Sequence, residues 1–187
     1  MLERGSGHIC IISSMVLAAP MAGFTAYAAS KAAVRTFADC LRSELLGTGV
    51  TVSIGYPPDT QTPGYEQENI TKPAETEAVS RAMADSVYAA DQVAATFFRG
   101  LKRRQYHLPS PDFLQQLGLS LIAGPSPRPL NLVSEVLLAP VLLLVAAAMR
   151  RVQDQTVLRC RQQHASASLQ RSQPRSARAA ANGTKES

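Results

Sequence analysis

Tyr27 and Lys31 stand four residues apart in the segment YAASK, inside a stretch with helical spacing of apolar residues. Residues four apart on a helix lie on one face, about one turn from each other. A phenol is a weak acid–base catalyst at neutral pH, and a neighbouring ammonium favours its phenolate form. The pair suits proton transfer with a small molecule that both side chains reach. The alternative is a half-buried aromatic residue beside a solvated lysine.

A serine hydroxyl stands at the right place in the sequence to complete this pair. Ser13 and Ser14 follow the apolar run HICII, and Ser14 precedes Tyr27 by thirteen residues. A hydroxyl beside a reacting oxygen stabilises the negative charge that develops on it. A strand-end cap is the alternative role for Ser14. Together in this order, serine, tyrosine and lysine favour a functional site over three unrelated structural roles.

The elements that position these residues are two strands with a helix between them. Residues 8–14 and 50–56 are short, β-branched, apolar runs, typical of parallel strands covered on both faces. Residues 27–46 have apolar side chains at helical spacing. The order strand, helix, strand predicts an α/β fold with a parallel crossover. Both strands end at the same edge of the sheet, where open α/β sheets bind ligands.

The segments after the second strand are less regular. Residues 57–74 are rich in proline, glycine and polar side chains and predict a long functional loop. Helices are predicted near 75–88 and 91–103, with Asp91 as the N-cap of the second. The segment YHLPSP predicts a short edge strand.

The sequence becomes predominantly apolar at residue 113 and stays so up to Arg150 and Arg151. Residues 136–149 are fourteen uncharged residues, fewer than the roughly 20 that span a bilayer. Extending the run back to residue 130 gives that length but includes Glu135. We expect contact with membrane lipid as a hairpin, an interfacial helix or a single span. A buried helix of the folded domain is the alternative.

The net charge of +5 is confined to the C-terminal end. Residues 1–150 carry twelve basic and twelve acidic side chains, and residues 151–187 carry seven basic and two acidic ones. A basic tail can touch anionic lipid or RNA, but most such tails are merely solvated, and no nucleic-acid partner is predicted. The three cysteines show no CxxC or Cys–His spacing, and no metal site is predicted.

The order ISS, YAASK and a strand ending in a proline loop resembles the short-chain dehydrogenase/reductases. The resemblance implies that Ser14 orients a carbonyl group and that Tyr27 passes the proton. It implies that Lys31 assists the tyrosine and, with it, holds the nicotinamide ribose. Pro57 and Thr62 would touch the nicotinamide side of the cofactor.

The longer segment YPPDTQTPGYEQEN is similar to the members of that family that reduce 3-keto sphingoid bases with NADPH. This similarity implies a long-chain keto-sphingoid base as substrate and sphingolipid synthesis as the process. It also implies a location on the endoplasmic reticulum membrane, with the catalytic side toward the cytosol.

The family's glycine-rich turn, which joins a strand to a helix and receives the pyrophosphate, has no counterpart in the sequence. The segment GSG at 5–7 leads into a strand instead. We therefore expect the C-terminal portion of a Rossmann-type doubly wound parallel sheet. The expected division is a partial reductase domain at 1–110, an apolar membrane-associated segment at 111–151 and a disordered basic tail at 152–187. Weak NADPH binding and little activity are expected of the isolated chain.

Two alternatives remain open for the function. One is a reductase of another lipid or steroid ketone, built on the same serine, tyrosine and lysine. The other is a non-catalytic, membrane-associated fragment in which the motif is present without activity.

Overall fold

The computed structural model describes residues 1–83, 86–123, 126–127 and 131–172. Helices predominate in this part of the chain, and its strands pair in parallel, which confirms the α/β class. The strands are β1 Gly7–Ile12, β2 Val50–Gly55, β3 Thr60–Gln61 and β4 Tyr88–Ala89. The helices are α1 Thr25–Glu44, α2 Pro63–Thr71, α3 Ala74–Ala82, α4 Ala90–Lys102, α5 Phe113–Ile122 and α6 Leu132–Ser172.

The parallel pair β1–β2 is the centre of the fold. Its register runs from Gly7 opposite Val50 to Ile12 opposite Gly55, and α1 connects the two strands. On the other side of β2, Ile54 forms a parallel bridge with His107. The segment YHLPSP therefore does extend the sheet, although by a bridge and not by a full strand.

The two faces of the β1–β2 pair differ in composition and in cover. Ile9 and Ile11 pack with β2 and α1 in the main apolar core. The buried members of that core are Met15, Ala38, Val52, Ile54, Tyr56 and Leu119. On the opposite face Cys10 and Ile12 are exposed. The prediction that β1 is covered on both faces is therefore wrong for the described residues, in which β1 pairs with β2 on one edge only.

Residues 57–74 are more ordered than the predicted loop. They hold the short strand β3, which pairs with β4, and the helix α2. The physical reason lies in the sequence TPG: Thr62 is the N-cap, its hydroxyl accepts from the Tyr65 N–H at 3.2 Å, and Pro63 occupies the first helical turn.

The next two helices are close to the predicted ones but have different ends. Helix α3 ends at Ala82, well before residue 88, because Tyr88 belongs to strand β4. Helix α4 has Ala89 as its N-cap, so the prediction of Asp91 in that role is wrong. Asp91 lies in the first turn instead, where its carboxylate accepts from the Gln92 N–H at 2.8 Å and favourably meets the helix dipole.

Helix α6 has 41 residues and continues through Pro140 to Ser172. The predicted disorder from residue 152 is therefore wrong as far as Ser172, and residues 173–187 lie outside the described part. Glutamine, arginine, alanine and leucine in this region are good helix formers. Burial of Gln153 and Cys160 shows that packing also supports the second half of the helix.

One side of α6 is buried along most of its length. Glu135, Leu142, Gln153 and Cys160 are buried, and their separations of seven, eleven and seven residues return to nearly the same side of a helix. Helices α3 and α5 pack against α6. In the first half of α6, the other sides of the helix are apolar and exposed. The window of highest mean hydropathy, 2.4, is only 11% buried, and the helix is long and apolar enough to cross a membrane.

Asp39 on α1 joins three parts of the fold. Its carboxylate accepts from the Tyr106 hydroxyl at 2.5 Å and from the Ser126 hydroxyl at 2.7 Å. Arg35 lies 3.8 Å from the same carboxylate and donates to the Ala123 carbonyl at 2.6 Å. The network ties α1 to the bridge segment and to the residues that follow α5.

We expect the substitution Asp39→Ala to lower the free energy of unfolding by about 2 kcal/mol, because two hydroxyl donors and Arg35 lose their acceptor. Urea denaturation followed by circular dichroism measures the change. The control is Asp154→Asn at an exposed position of α6, for which a change within about 0.5 kcal/mol is expected. Equal effects of the two substitutions would contradict the role given to Asp39.

We expect the protein to lose stability as the pH falls below about 6.5, the ordinary pKa of histidine. Burial lowers the pKa of His107, and its Nε2 already donates to the Pro127 carbonyl at 2.6 Å. The unfolded chain therefore takes up a proton at a pH where the folded chain does not, which favours unfolding. Denaturation at pH 7.5 and 5.5 tests this (both values are about one unit from that pKa). His107→Gln should flatten the dependence, leaving the share of His8, whose pKa is also lowered by burial. An identical pH dependence in this variant would contradict the assignment to His107.

Candidate active site

The two central strands stay side by side beyond their last paired residues. The Ser13 N–H donates to the Gly55 carbonyl at 2.8 Å, and the Met15 N–H donates to the Pro57 carbonyl at 3.2 Å. These bonds continue the parallel pattern past the ends of β1 and β2. As a result Ser14 and Pro57 lie at the same edge of the sheet.

Ser13 fastens α1 to this edge. It is 2% exposed, and its hydroxyl donates to the Lys31 backbone carbonyl at 3.0 Å. The Lys31 ammonium in turn donates to the Ile12 carbonyl at 3.4 Å. Backbone and side chain of Lys31 are therefore both bound to the end of β1. The anchoring role of Ser13 was not foreseen from the sequence, in which the two adjacent serines look equivalent.

Tyr27 and Lys31 meet as their spacing predicts. The Lys31 Nζ lies 5.7 Å from the centroid of the Tyr27 ring. The Tyr27 side chain is 42% exposed, and the Phe24 ring packs edge-on against it with centroids 5.7 Å apart. The phenol is thus accessible from outside, while its ring is held between a cation and an aromatic neighbour.

Ser14 lies at the same edge of the sheet and caps the turn that follows. Its backbone is extended, and its Oγ accepts from the Val16 N–H at 3.2 Å at the start of the 3-10 turn Met15–Leu17. A serine hydroxyl has one donor and two acceptor positions. Capping uses an acceptor position, so the donor position can serve a second partner. Ser14 can therefore cap the turn and still donate a hydrogen bond to a reacting oxygen.

The structure places the five predicted site residues on four segments. Ser14 and Pro57 follow the two central strands, Tyr27 and Lys31 occupy the first two turns of α1, and Thr62 caps α2. Tyr27 and Lys31 are in contact, and Lys31 reaches the strand end that carries Ser14. Thr62 lies beyond β3, with its Oγ1 engaged by the Tyr65 N–H.

Gly23 and Thr76 form a contact that was not anticipated from the sequence. Gly23 has φ +92°, and a Cβ there would lie 2.0 Å from the Thr76 Oγ1. Thr76 is fully buried in α3, and its hydroxyl donates to the Ala22 carbonyl at 2.7 Å. Helix α3 is thus held against the loop that leads into Tyr27. The only sequence signal was a glycine just before a helix.

The described residues fit one end of a nicotinamide cofactor and not the other. An exposed phenol, a lysine ammonium and the strand-end loops suit a ribose and a nicotinamide ring. The pyrophosphate needs backbone N–H groups at a helix N-terminus behind a glycine turn. In the part of the chain that the structure describes, the GSG segment runs directly into β1, and no glycine-rich strand–turn–helix is present.

Comparisons with known proteins point to one family. Residues 1–73 match the family model described as short chain dehydrogenase. The chain is 38% identical over 161 residues to the 3-ketodihydrosphingosine reductase of Dictyostelium discoideum, covering 85% of this chain and 47% of that protein. It is 43% identical over 94 residues to the protein of the same name from Bos taurus, covering 50% and 28%.

A third relative is the 3-dehydrosphinganine reductase of Danio rerio, 44% identical over 80 residues, covering 43% of this chain and 24% of that protein. The chain thus spans about half the length, or less, of these curated relatives. Among solved structures, a short chain dehydrogenase from Mycobacterium paratuberculosis bound to NAD aligns with a TM-score of 0.44 and 24% identity, covering 58% of this chain and 45% of that one.

We expect Gly23→Ala to destabilise the protein by about 2 kcal/mol, because the new methyl group collides with Thr76 and the backbone has a positive φ. The matched control is Gly64→Ala in the first turn of α2, where the nearest atom to a new Cβ is 3.9 Å away. That change should be neutral or slightly stabilising. Thermal unfolding of both variants checks the pair, and equal melting temperatures would contradict the close approach of α3.

Proposed function

We propose that the chain, whose residues 1–73 match the short chain dehydrogenase family, provides the Ser–Tyr–Lys part of a 3-keto sphingoid base reductase. The reaction is reduction of the 3-keto group of 3-dehydrosphinganine to sphinganine in sphingolipid synthesis. The observation that carries the proposal is Lys31, which is bound to the β1 end and lies over the Tyr27 ring. The substrate is inferred from relatives that bear this name.

Each site residue has a part in the proposed reaction. The Ser14 hydroxyl donates to the substrate oxygen, and the Tyr27 phenol gives the proton that this oxygen takes up. The Lys31 ammonium stabilises the negative charge left on the phenol oxygen. NADPH supplies the hydride when it is bound. Tyr27 and Lys31 would hold its ribose, and Pro57 and Thr62 would touch the nicotinamide side.

The proposed division of labour keeps the three segments expected from the sequence. Residues 1–110 would form part of the reductase domain and 111–151 a segment associated with membrane lipid, followed by basic residues that continue α6 as far as Ser172. The pyrophosphate end of the cofactor has no helix N-terminus behind a glycine turn among the described residues. We infer that these 187 residues need a dinucleotide-binding half to act. This mismatch is also what favours a non-catalytic role as the second candidate.

Membrane association of the reductase at the endoplasmic reticulum, with the site toward the cytosol, is the proposed setting. Support comes from the first half of α6, which is apolar, largely exposed and closed by Arg150 and Arg151. A long-chain keto base is itself poorly soluble in water, so a site next to a bilayer would find its substrate there. A ketone of another lipid or a steroid is the alternative substrate.

Titration of the purified chain with NADPH, followed by fluorescence, tests this division. We expect no saturable binding in the micromolar range. Fusing the dinucleotide-binding half of the Dictyostelium discoideum relative ahead of Gly5 should restore NADPH binding and oxidation of NADPH with 3-ketodihydrosphingosine. A fusion that folds and binds NADPH but reduces no ketone would favour the non-catalytic candidate. Tight binding by the chain alone would refute the inferred need for the second half.

In that active fusion we expect Tyr27→Phe and Lys31→Met each to lower kcat by at least about a hundredfold, the usual contribution of acid–base groups. Lys102→Met is the matched control, since Lys102 is exposed at the end of α4. Its kcat should stay within about twofold of the parent, as for a surface substitution. A Tyr27→Phe variant with parental kcat would show that the proton comes from elsewhere.

A further inference from the structure

A cavity of about 330 Å³ opens among the elements that follow β2. Its walls come from the loop before β3 and from helices α2 and α3. The lining side chains combine charges, an amide and an aromatic ring, and include Asp59, Tyr65, Asn69, Lys72, Glu77 and Arg81. The reaction proposed above uses none of these side chains.

A continuous series of side-chain contacts joins this cavity to Tyr27. The Phe24 ring packs against the Tyr27 ring, and the Lys72 Nζ lies 5.9 Å from the Phe24 centroid. The same Nζ lies 5.8 Å from the centroid of Tyr65, whose hydroxyl donates to the Asp59 carboxylate at 3.3 Å. The cavity is therefore linked to the Tyr27 ring through Phe24 and through Lys72, whose ammonium lies near both the Phe24 and Tyr65 rings.

Hydrogen bonds and strand pairing fix the backbone segment that carries Asp59. Its backbone carbonyl accepts from the Tyr88 N–H at 2.9 Å, and the next residue, Thr60, pairs with Tyr88 between β3 and β4. The Thr60 hydroxyl also donates to the Pro58 carbonyl at 2.7 Å. A carboxylate fixed in this way loses little conformational entropy when it binds a ligand.

The charges in the cavity are not equally compensated. Arg81 and Glu77 form an ion pair at 3.1 Å, and the Lys72 ammonium lies over two ring faces, which attract cations. Among the described residues, no lysine, arginine or histidine nitrogen lies within 4.0 Å of the Asp59 carboxylate. Asp59 is thus the carboxylate of this cavity that has acceptor positions free for an incoming cation.

We propose that Asp59 is a specificity-determining residue that binds the primary ammonium of an amino-alcohol head group next to the reacting ketone. The inference rests on the proposed function, since a 3-keto sphingoid base carries an amine at C2 and a hydroxyl at C1. A charge-assisted N–H···O bond from the ammonium to Asp59 would fix the head group. Asn69 and Lys72 are the donors available to its hydroxyl oxygen. Ketones without the amine would lack this anchor.

The test compares two water-soluble probes on the full chain by titration calorimetry. One is a short-chain sphinganine analogue, and the other is the matching 1,3-diol without the amine. We expect the amine to bind at least about tenfold more tightly, the ratio that one hydrogen bond to a charged group provides. Equal affinities, or tighter binding of the corresponding alkyl phosphate, would overturn the inference without any variant being made.

Two variants then test whether Asp59 causes the preference for the amine over the diol. Asp59→Asn keeps an acceptor for the Tyr65 hydroxyl and removes the charge, and it should bring the amine down to the affinity of the diol. Asp91→Asn, at an exposed position on α4, is the matched control and should keep the full preference. A preference that survives in Asp59→Asn, with its circular dichroism unchanged, would overturn the assignment to this residue.

The outcome is separable from that of the proposed function. In the active fusion, a loss of selectivity for amino ketones over plain ketones in Asp59→Asn, with plain ketones reduced as before, supports the inference. Reduction of both ketones at equal rates by the parent overturns it and leaves the reductase assignment standing. Failure of the fusion to reduce any ketone refutes the reductase, while the calorimetric comparison on the chain still decides the amine site.

Discussion

Parallel pairing that continues past the ends of two strands is the constraint on which the rest of the molecule depends. The bonds from Ser13 to Gly55 and from Met15 to Pro57 keep the strand ends together. The buried Ser13 hydroxyl then fixes α1 relative to that edge through Lys31. Lys31 is bound to the end of β1 through its backbone carbonyl and its side chain, and its ammonium lies beside the Tyr27 ring. The positions of Tyr27 and Lys31 at this edge are thus set by contacts that belong to the fold itself.

Two aspartates show how surroundings give one residue type different roles. Asp39 accepts from two hydroxyls and lies near Arg35, so its acceptor positions are used within the protein. Asp59 accepts one long hydrogen bond from Tyr65 and borders an open cavity. A carboxylate satisfied by internal donors joins elements, whereas one with spare acceptor positions is suited to a ligand. The difference comes from tertiary contacts and is invisible in the local sequence.

Sequence patterns predicted the parts of the fold whose signal is periodic. Strands β1 and β2 and helix α1 appear close to their predicted bounds, since each combines an apolar pattern with clear ends. Residues 57–74 contain α2, although their composition predicts a loop. The local sequence signal for this helix is TPG, a cap followed by proline. The anchoring by Ser13 and the contact of Gly23 with Thr76 depend on residues 18 and 53 positions away. Such pairings cannot be read from spacing along the chain.

The buried side of α6 has a consequence for how the chain tolerates changes of length. Leu142 and Gln153 face the domain from the two halves of one continuous helix, so their angular relation is set by the residues between them. One inserted residue there would rotate the second half by about 100° and turn Gln153 and Cys160 outward. Insertions and deletions in this stretch are therefore acceptable chiefly in steps that restore whole turns. Among homologous proteins, the length of this helix should therefore differ by about seven or eleven residues.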